Sequence, residues 1–313
     1  MHNSFKLQDI AAIYNLPLLK LIAEAANIHS IHQKHTVMYR NTLVSYKTGG
    51  CAEDCAYCSQ SSRHKTNVGP SIRLSEKEIM DQVEEAVKHG SDRICLSASW
   101  KNVPDNEEFE MLINVGKAIR KMGLHVCATL GTITRQQIVR LREAGFTAYN
   151  HNIDTSEQFY PQIISTRTFT QRIETLKLLQ EEKMGCCSGG IVGLGESHDD
   201  RIAMLHSLAS LPQPLFTFPI NMLVAIEGTP LENMQPVSVW DLVRVIATAR
   251  IVMPSTRICL AAGRKQLSDE AQALCFLAGA NSVFVGEKLL TTPNATPGND
   301  ASLFETLGLE LNG

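Results

Sequence analysis

Three cysteines in the stretch Lys47-Thr48-Gly49-Gly50-Cys51-Ala52-Glu53-Asp54-Cys55-Ala56-Tyr57-Cys58 stand at a CxxxCxxC spacing, led in by two glycines. Thiolates are the usual ligands of iron–sulfur clusters, and four of them are the full set for a [4Fe–4S] cube. Three therefore hold three corners and leave one iron open to a substrate or cofactor. A three-thiolate zinc site is the competing reading, although structural zinc prefers paired CxxC units and four protein ligands. A second set is scattered: Cys95, Cys127, Cys187 and Cys259 fall in four separate short apolar runs. If those runs are strands of one closed barrel, inward-facing residues of different strands reach a common depth, and four thiolates suffice for a [2Fe–2S] cluster. Any one of them alone reads as core, because free cysteine is among the most buried residue types. Cys186 and Cys187 are chain neighbours, so only one can face the bore. Cys275 lies in a helical pattern and is expected to pack.

The elements that must position these residues alternate. Strand candidates are Thr42–Tyr46, Arg93–Ser97, His125–Leu130, Ala148–Ile153, Cys186–Val192, Pro219–Val224, Arg257–Ala261 and Ser282–Val285. Helix candidates lie between them, among them 75–89, opened by the capping-box pattern Ser75…Glu78, and 134–144, closed by Gly145. Others run near 171–183, 200–208, 238–252 and 268–278, and one helical lead covers about 7–28. Eight strands alternating with helices predict an α/β fold of the parallel (β/α)8 TIM-type barrel class with an N-terminal helical extension, a doubly wound open sheet being the alternative. We expect one domain over 1–313: a helical lead at 1–38, the barrel at 39–290 and a C-terminal segment at 291–313. In such a barrel chemistry gathers at the C-terminal ends of the strands, which is where the loop of Cys51, Cys55 and Cys58 begins.

Composition fits this reading. The chain has 313 residues, 44% hydrophobic and 19% charged, with a formal net charge of −3. That argues against disorder and against an extended nucleic-acid surface, which needs a basic excess. Nine cysteines cannot all pair, and the start Met1-His2-Asn3-Ser4-Phe5-Lys6 lacks a basic-then-apolar leader, so a reduced, cytoplasmic protein is expected. The uncharged stretch nearest to a membrane span, 202–226, carries His206, Gln213 and Asn221 and is broken by Pro212, Pro214 and Pro219; no membrane partner is expected.

The CxxxCxxC spacing, with Tyr57 just before its last cysteine, resembles the radical S-adenosylmethionine (SAM) superfamily. Longer words narrow the resemblance to the biotin synthase family over about 39–308. Among them are Ser59-Gln60-Ser61-Ser62-Arg63, Trp100-Lys101-Asn102, Tyr149-Asn150-His151-Asn152-Ile153-Asp154-Thr155, Ser188 to Glu196, Pro219-Ile220-Asn221-Met222-Leu223 and Leu290-Thr291-Thr292-Pro293-Asn294. The resemblance implies sulfur insertion into dethiobiotin to give biotin, with deoxyadenosyl radicals from SAM removing the hydrogens and a [2Fe–2S] cluster supplying sulfur. It implies that Cys51, Cys55 and Cys58 hold the [4Fe–4S] cluster and that Cys95, Cys127 and Cys187 hold the sulfur donor. The family usually has arginine where this chain has Cys259, with Arg257 two residues earlier on the same strand face; Cys259 as fourth ligand, with Arg257 as the alternative, is the expectation. Tyr57, Ala98, Asn152, Asp154, Arg172 and Val192 match SAM-contacting positions, and Asn150, Asn152, Asp154, Asn221, Thr291 and Thr292 match substrate-contacting ones.

From the residues alone, Asn150, Asn152 and Asp154 alternate on a run and share a face, which turns His151 away from them; a strand-end turn using Asn and Asp for local bonds is the plainer alternative. The glycines of 189–196 read as a close backbone approach to an adenosyl group, since the Gly-Lys-Ser/Thr ending of a phosphate loop is missing. A low-potential electron donor such as flavodoxin or ferredoxin, and a homodimer, are implied by the resemblance. Two other readings stay open at this point: a radical SAM enzyme with another substrate, and a non-catalytic iron–sulfur or zinc carrier.

Overall fold

A computed structural model describes residues 5–311 apart from 35, 70 and 287; the first four residues of the expected leaderless start lie outside the described residues. All eight runs form strands: β1 (Val37–Thr48), β2 (Arg93–Ala98), β3 (His125–Thr129), β4 (Ala148–Asn150), β5 (Gly185–Cys187), β6 (Thr217–Met222), β7 (Arg257–Leu260) and β8 (Ser282–Phe284). Each pairs in parallel with the next. β8 then pairs back onto β1 through Tyr39↔Ser282, Arg40↔Val283 and Asn41↔Phe284. The sheet is a closed (β/α)8 barrel, and the open doubly wound alternative is excluded.

Local sequence explains the helices. The expected lead at 7–28 is two helices, α1 (Leu7–Tyr14) and α2 (Leu18–His32), because Pro17 cannot continue the first and instead caps the second. In α3 (Glu76–Lys88) Ser75 accepts from the Glu78 amide while the Glu78 carboxylate receives the Ser75 amide. α4 (Glu107–Lys121), which the pattern did not single out, starts on the Asn106 side chain, an acceptor for two amides. α5 (Arg135–Glu143) has a Thr134/Gln137 capping box and stops before Gly145, whose φ of +91° suits glycine. α6 (Tyr160–Ile163), α7 (Phe169–Glu181), α8 (His198–Ala209), α9 (Val239–Val252), α10 (Asp269–Leu277) and α11 (Pro297–Thr306) complete the order. No helix among the described residues is long and apolar enough to cross a membrane.

Two apolar layers result. Outward strand residues such as Ile94, Leu96, Val126 and Ala128 join the inner faces of the helices in one large core, which also takes Cys186 and Cys275. Inside the bore lies a separate cluster of Cys95, Cys127, Ala148 and Cys187, with Leu43, Phe216 and Phe284 packed on it. Strand alternation thus separates the neighbours Cys186 and Cys187, as expected.

Register sets the depth of each thiol. Cys95 is level with Cys127 across β2–β3; Cys187 pairs Thr217, and Cys259 pairs Pro219 and Ser282. In an eight-stranded barrel with the usual shear, a plane across the bore climbs about one residue per strand. On that climb Cys95, Cys127, Cys187 and Cys259 fall within about one residue of a single level, whereas Arg257 falls about two residues below them.

Two runs stop furthest short of their expected ends. The run 186–192 is interrupted after Cys187 and resumes at Gly190–Val192, which pairs with β6. At the break a Cβ on Gly189 would stand 1.8 Å from Pro219 O, and one on Gly190 2.7 Å from Asp154 O. Those two glycines therefore serve the close approach of the chain to itself, which corrects the reading of them as an approach to a ligand. β4 ends at Asn150 instead of running on to Ile153, and Asp154 takes a left-handed φ of +68°.

A candidate two-level iron–sulfur site

The loop after β1 is built before any ligand is considered. Gly49 and Gly50 have φ of +84° and +66°, and a Cβ on Gly49 would stand 2.8 Å from Gly69 O. Lys47 Nζ gathers the turn by donating to Gly49 O at 2.8 Å and to Ser99 O at 2.9 Å. Cys51 N donates to Gln60 O and Ser62 N to Cys51 O, so the loop closes on itself. It is also tied to the segment before α7. The Asp54 carboxylate accepts from the Ser165 and Thr166 amides at 3.0 and 3.1 Å, Ala56 N donates to Ile163 O, and Glu53 forms a buried ion pair with Arg167 at 2.9 Å.

Above the strand ends this loop walls an upper cavity lined by Cys51, Cys55 and Cys58 together with Tyr57, Ala98, Asn150, Asn152, Asp154 and Arg172. Every upper-site residue expected from the sequence except Val192 is there. Val192 is fully buried in the outer core, since strand alternation sends its neighbour Ile191 inward instead; its side chain therefore lies outside the cavity wall expected of a SAM-contacting position. His151 also departs from expectation. Because β4 has ended, alternation does not apply, and His151 lines the same cavity with Nε2 3.5 Å from Arg167 Nη1. Burial and the nearby Arg172 and Arg167 push its pKa well below the ordinary value, so it stands neutral.

Arg172 Nη2 lies 3.3 Å from Asp154 Oδ2, an ion pair 11% and 3% exposed. The pair is not aligned as a hydrogen bond, and Asp154 Oδ2 remains without one. Burial raises the pKa of Asp154, against the pull of Arg172. A carboxylate and a guanidinium side by side on a cavity wall suit the ammonium and carboxylate of an amino-acid group.

Below it, and sharing Tyr57, Cys58, Thr129, Asn150, Asn152 and Asp154 as a common wall, a deep cavity runs down the bore. Cys95, Cys127, Cys187 and Cys259 all line it. Arg257 does not; its guanidinium carbon stacks 3.6 Å from the Tyr39 ring centre, beneath the thiol level. Cys259 is the member nearer β8, and Asn41 Nδ2, from β1, donates to its Sγ at 3.8 Å. Near the upper rim Thr291 Oγ1 and Ser59 Oγ are 2.7 Å apart, and Thr292 donates to Leu289 O at 3.0 Å. Asn221 donates to Gly190 O and accepts from Ala262 N, both at 3.1 Å, so its amide bridges two strand ends as well as facing the cavity.

The donor set fits iron–sulfur groups. Burial lifts the Cys55 thiol well above its ordinary pKa and Cys58 to about 11; Cys259 is raised to about 12, also by burial. Such thiols ionise only when a cation replaces the proton. All nine cysteines are free. Among the described residues no three His, Cys, Asp or Glu converge as ligands of one metal ion do; a [4Fe–4S] cluster places one thiolate on each iron and a [2Fe–2S] cluster two.

Comparison with known proteins decides the family. Residues 45–208 match the Radical SAM superfamily and residues 219–310 the Biotin and Thiamin Synthesis associated domain. The biotin synthase of Flavobacterium psychrophilum is 48% identical over 99% of this chain and 85% of its own, and the mitochondrial biotin synthase of Arabidopsis thaliana is 47% identical over 98% and 82%. The chain belongs to the biotin synthase family. Solved structures agree on the fold: a methylornithine synthase superposes with a TM-score of 0.79 at 16% identity over 98% of this chain and 94% of its own. A maturase of the [FeFe]-hydrogenase does so with 0.85 at 15% identity over 99% and 72%.

For a biotin synthase family member, several lining residues went unrecognised in the sequence. Ser59 and Gln60 line the deep cavity, and both lie in the word that follows the cysteine loop. Asn41 and Arg93 line it too. Arg93 was within reach of the alternation rule, standing two residues before Cys95 on the same strand face.

Proposed function

We propose that this chain converts dethiobiotin to biotin by radical sulfur insertion. The observation that carries the reading is the stacking of two thiol sets at two depths of one bore, with Asn150, Asn152 and Asp154 on the wall between them. Cys51, Cys55 and Cys58 would hold a [4Fe–4S] cluster, whose chemistry with SAM would be hydrogen removal by a deoxyadenosyl radical, and Cys95, Cys127, Cys187 and Cys259 would hold a [2Fe–2S] cluster as the source of sulfur.

The protein's own groups do the rest. Arg172 receives the carboxylate of SAM and Asp154 its cationic end or a ureido N–H of the substrate, which gives the unbonded Asp154 Oδ2 a donor. Asn150 and Asn152 present amides to the ribose and the ureido ring; Asn152 is already oriented by Gly189 N, which donates to its Oδ1 at 3.2 Å. Ala98 offers backbone at the top of β2, and Tyr57 walls the adenosyl side. Thr291, with Ser59 and Asn221, provides hydroxyl and amide donors for the substrate tail, and Thr292, whose proton goes to Leu289 O, provides an acceptor. The apolar remainder of the deep cavity, including Leu43, Ile191 and Leu289, keeps water from a reactive carbon centre.

Cys259 is preferred over Arg257 as fourth ligand on its level in the bore and on its place in the cavity wall. The reading also calls for a low-potential electron donor of the flavodoxin or ferredoxin class, a reducing compartment and a homodimer. The test is anoxic reconstitution with iron and sulfide, followed by SAM, dethiobiotin and a strong reductant, with biotin and 5′-deoxyadenosine measured together by mass spectrometry. Both products support the reading. Deoxyadenosine alone keeps the radical chemistry and rejects the substrate; neither product, from protein shown to hold both clusters, rejects the reading altogether.

A further inference from the structure

One buried charge at the floor of the deep cavity, with the Asp92 carboxylate nearby, is incompletely hydrogen-bonded. Arg93 is 2% exposed and lines the cavity with Cys95, Cys127 and Cys187. Its Nη1 donates to Thr217 Oγ1 at 3.2 Å, and its guanidinium carbon stands 4.6 Å from the Phe216 ring centre. Nε and Nη2 have no hydrogen-bond partner. Its chain neighbour Asp92 does not fill the gap, for both Asp92 oxygens also lack hydrogen-bond partners. A buried guanidinium left partly unbonded is costly, and native proteins keep such a group where something charged or polar completes it. On the barrel's climb Arg93 lies just beneath the level of the thiols, so its free N–H groups and the thiols share one small, weakly screening enclosure.

Four thiolates around an iron–sulfur core leave it net negative, more so than three thiolates and a neutral or cationic ligand. We infer that Arg93 is a positioning residue whose free N–H groups donate to the sulfur atoms of the centre held by Cys95, Cys127, Cys187 and Cys259, offsetting its negative charge and raising its reduction potential. This rests on the second cluster of the proposed function. It also gives the substitution of a thiol at position 259 a counterweight in the same cavity: an all-thiolate centre becomes tolerable in the bore because a fixed cation lies under it.

The test is a potentiometric titration of reconstituted wild type, Arg93→Met and Arg93→Lys, followed by visible absorption and Mössbauer spectra, with the Cys51/Cys55/Cys58 cluster as internal reference. Cys127→Ala serves as a separate control that removes only the deep centre. The expected result is a more negative potential for the deep centre in Arg93→Met, an unshifted upper cluster, and recovery of most of the shift in Arg93→Lys. Failure of Arg93→Met to assemble the deep centre, with assembly restored by Arg93→Lys, also supports the charge role. An unchanged potential and spectrum in Arg93→Met overturns it, as does failure of both variants to assemble the centre, since then shape and not charge is what Arg93 provides. If Cys127→Ala leaves iron content and spectra as in wild type, it is the deep cluster itself that fails and not the role of Arg93.

Discussion

The two thiol sets are assembled by opposite means. Cys51, Cys55 and Cys58 come from one loop, shaped by its own glycines and Lys47 clamp and held through Asp54 and Glu53 against the segment before α7. Cys95, Cys127, Cys187 and Cys259 come from four strands, and nothing near each of them in sequence places it; only register and barrel closure do. The spacing within a loop site is thus set by its own few residues, while a bore site is specified by the whole ring, since a slip of one residue turns an inward side chain outward.

That contrast is open to direct attack. Cys55→Ala should have the largest effect, removing the upper cluster and reducing both deoxyadenosine and biotin by more than about a hundredfold, because even loss of an outer-shell partner of a metal site costs up to that much. Its deep-centre spectrum should survive, and loss of both spectra would show the two levels to be one unit. Cys127→Ala should abolish biotin while deoxyadenosine formation continues, read by the same mass spectrometry. Cys259→Ala should change or lose the deep-centre spectrum, and Arg257→Met should leave it alone; the opposite pattern would return the ligand role to Arg257.

Smaller effects probe the frame. Gly189→Ala should destabilise the protein by about 1–3 kcal/mol in denaturant unfolding, because its Cβ meets Pro219 O and the β5–β6 seam must open. The deep thiols, Cys187 above all, should suffer more than the upper loop. Smallest is Asp54→Asn. Although burial opposes its charge, hydrogen bonds from Ser165 and Thr166 hold the Asp54 carboxyl below its ordinary pKa. Its contribution is therefore present above the unfolded carboxylate pKa of about 4 and is lost as pH falls toward its lower folded value. The group is partly exposed, so the variant should cost only about 1 kcal/mol at neutral pH, and the acid limb of the stability–pH curve should flatten.

The same contrast governs what could be read from the sequence. The upper loop was legible because its spacing is its geometry. The barrel was legible from alternating runs, and the deep set followed once the barrel was granted. What failed was the use of alternation past a strand's end: Asn150 is the last residue of β4, so the shared side of Asn152 and Asp154 arises from an irregular segment with Asp154 at positive φ, and His151 turns inward among them. Val192 failed in the reverse sense, alternation being valid there and pointing it outward. The roles of Gly189 and Gly190 were hidden because the atoms they make room for, Pro219 O and Asp154 O, lie on segments distant in sequence.

One small strand has a practical outcome. Glu310–Leu311 pairs in parallel with Val37–Met38, the first residues of β1, and Glu310 N donates to Thr36 O at 2.6 Å. Thr48, where β1 delivers the chain to the cysteine loop, is roughly 35 Å further along the same strand. Residues 310–311 therefore close the sheet at the end of the barrel opposite the mouth, and an attachment made at their position should leave the site facing outward, accessible to small molecules and to a reducing partner alike.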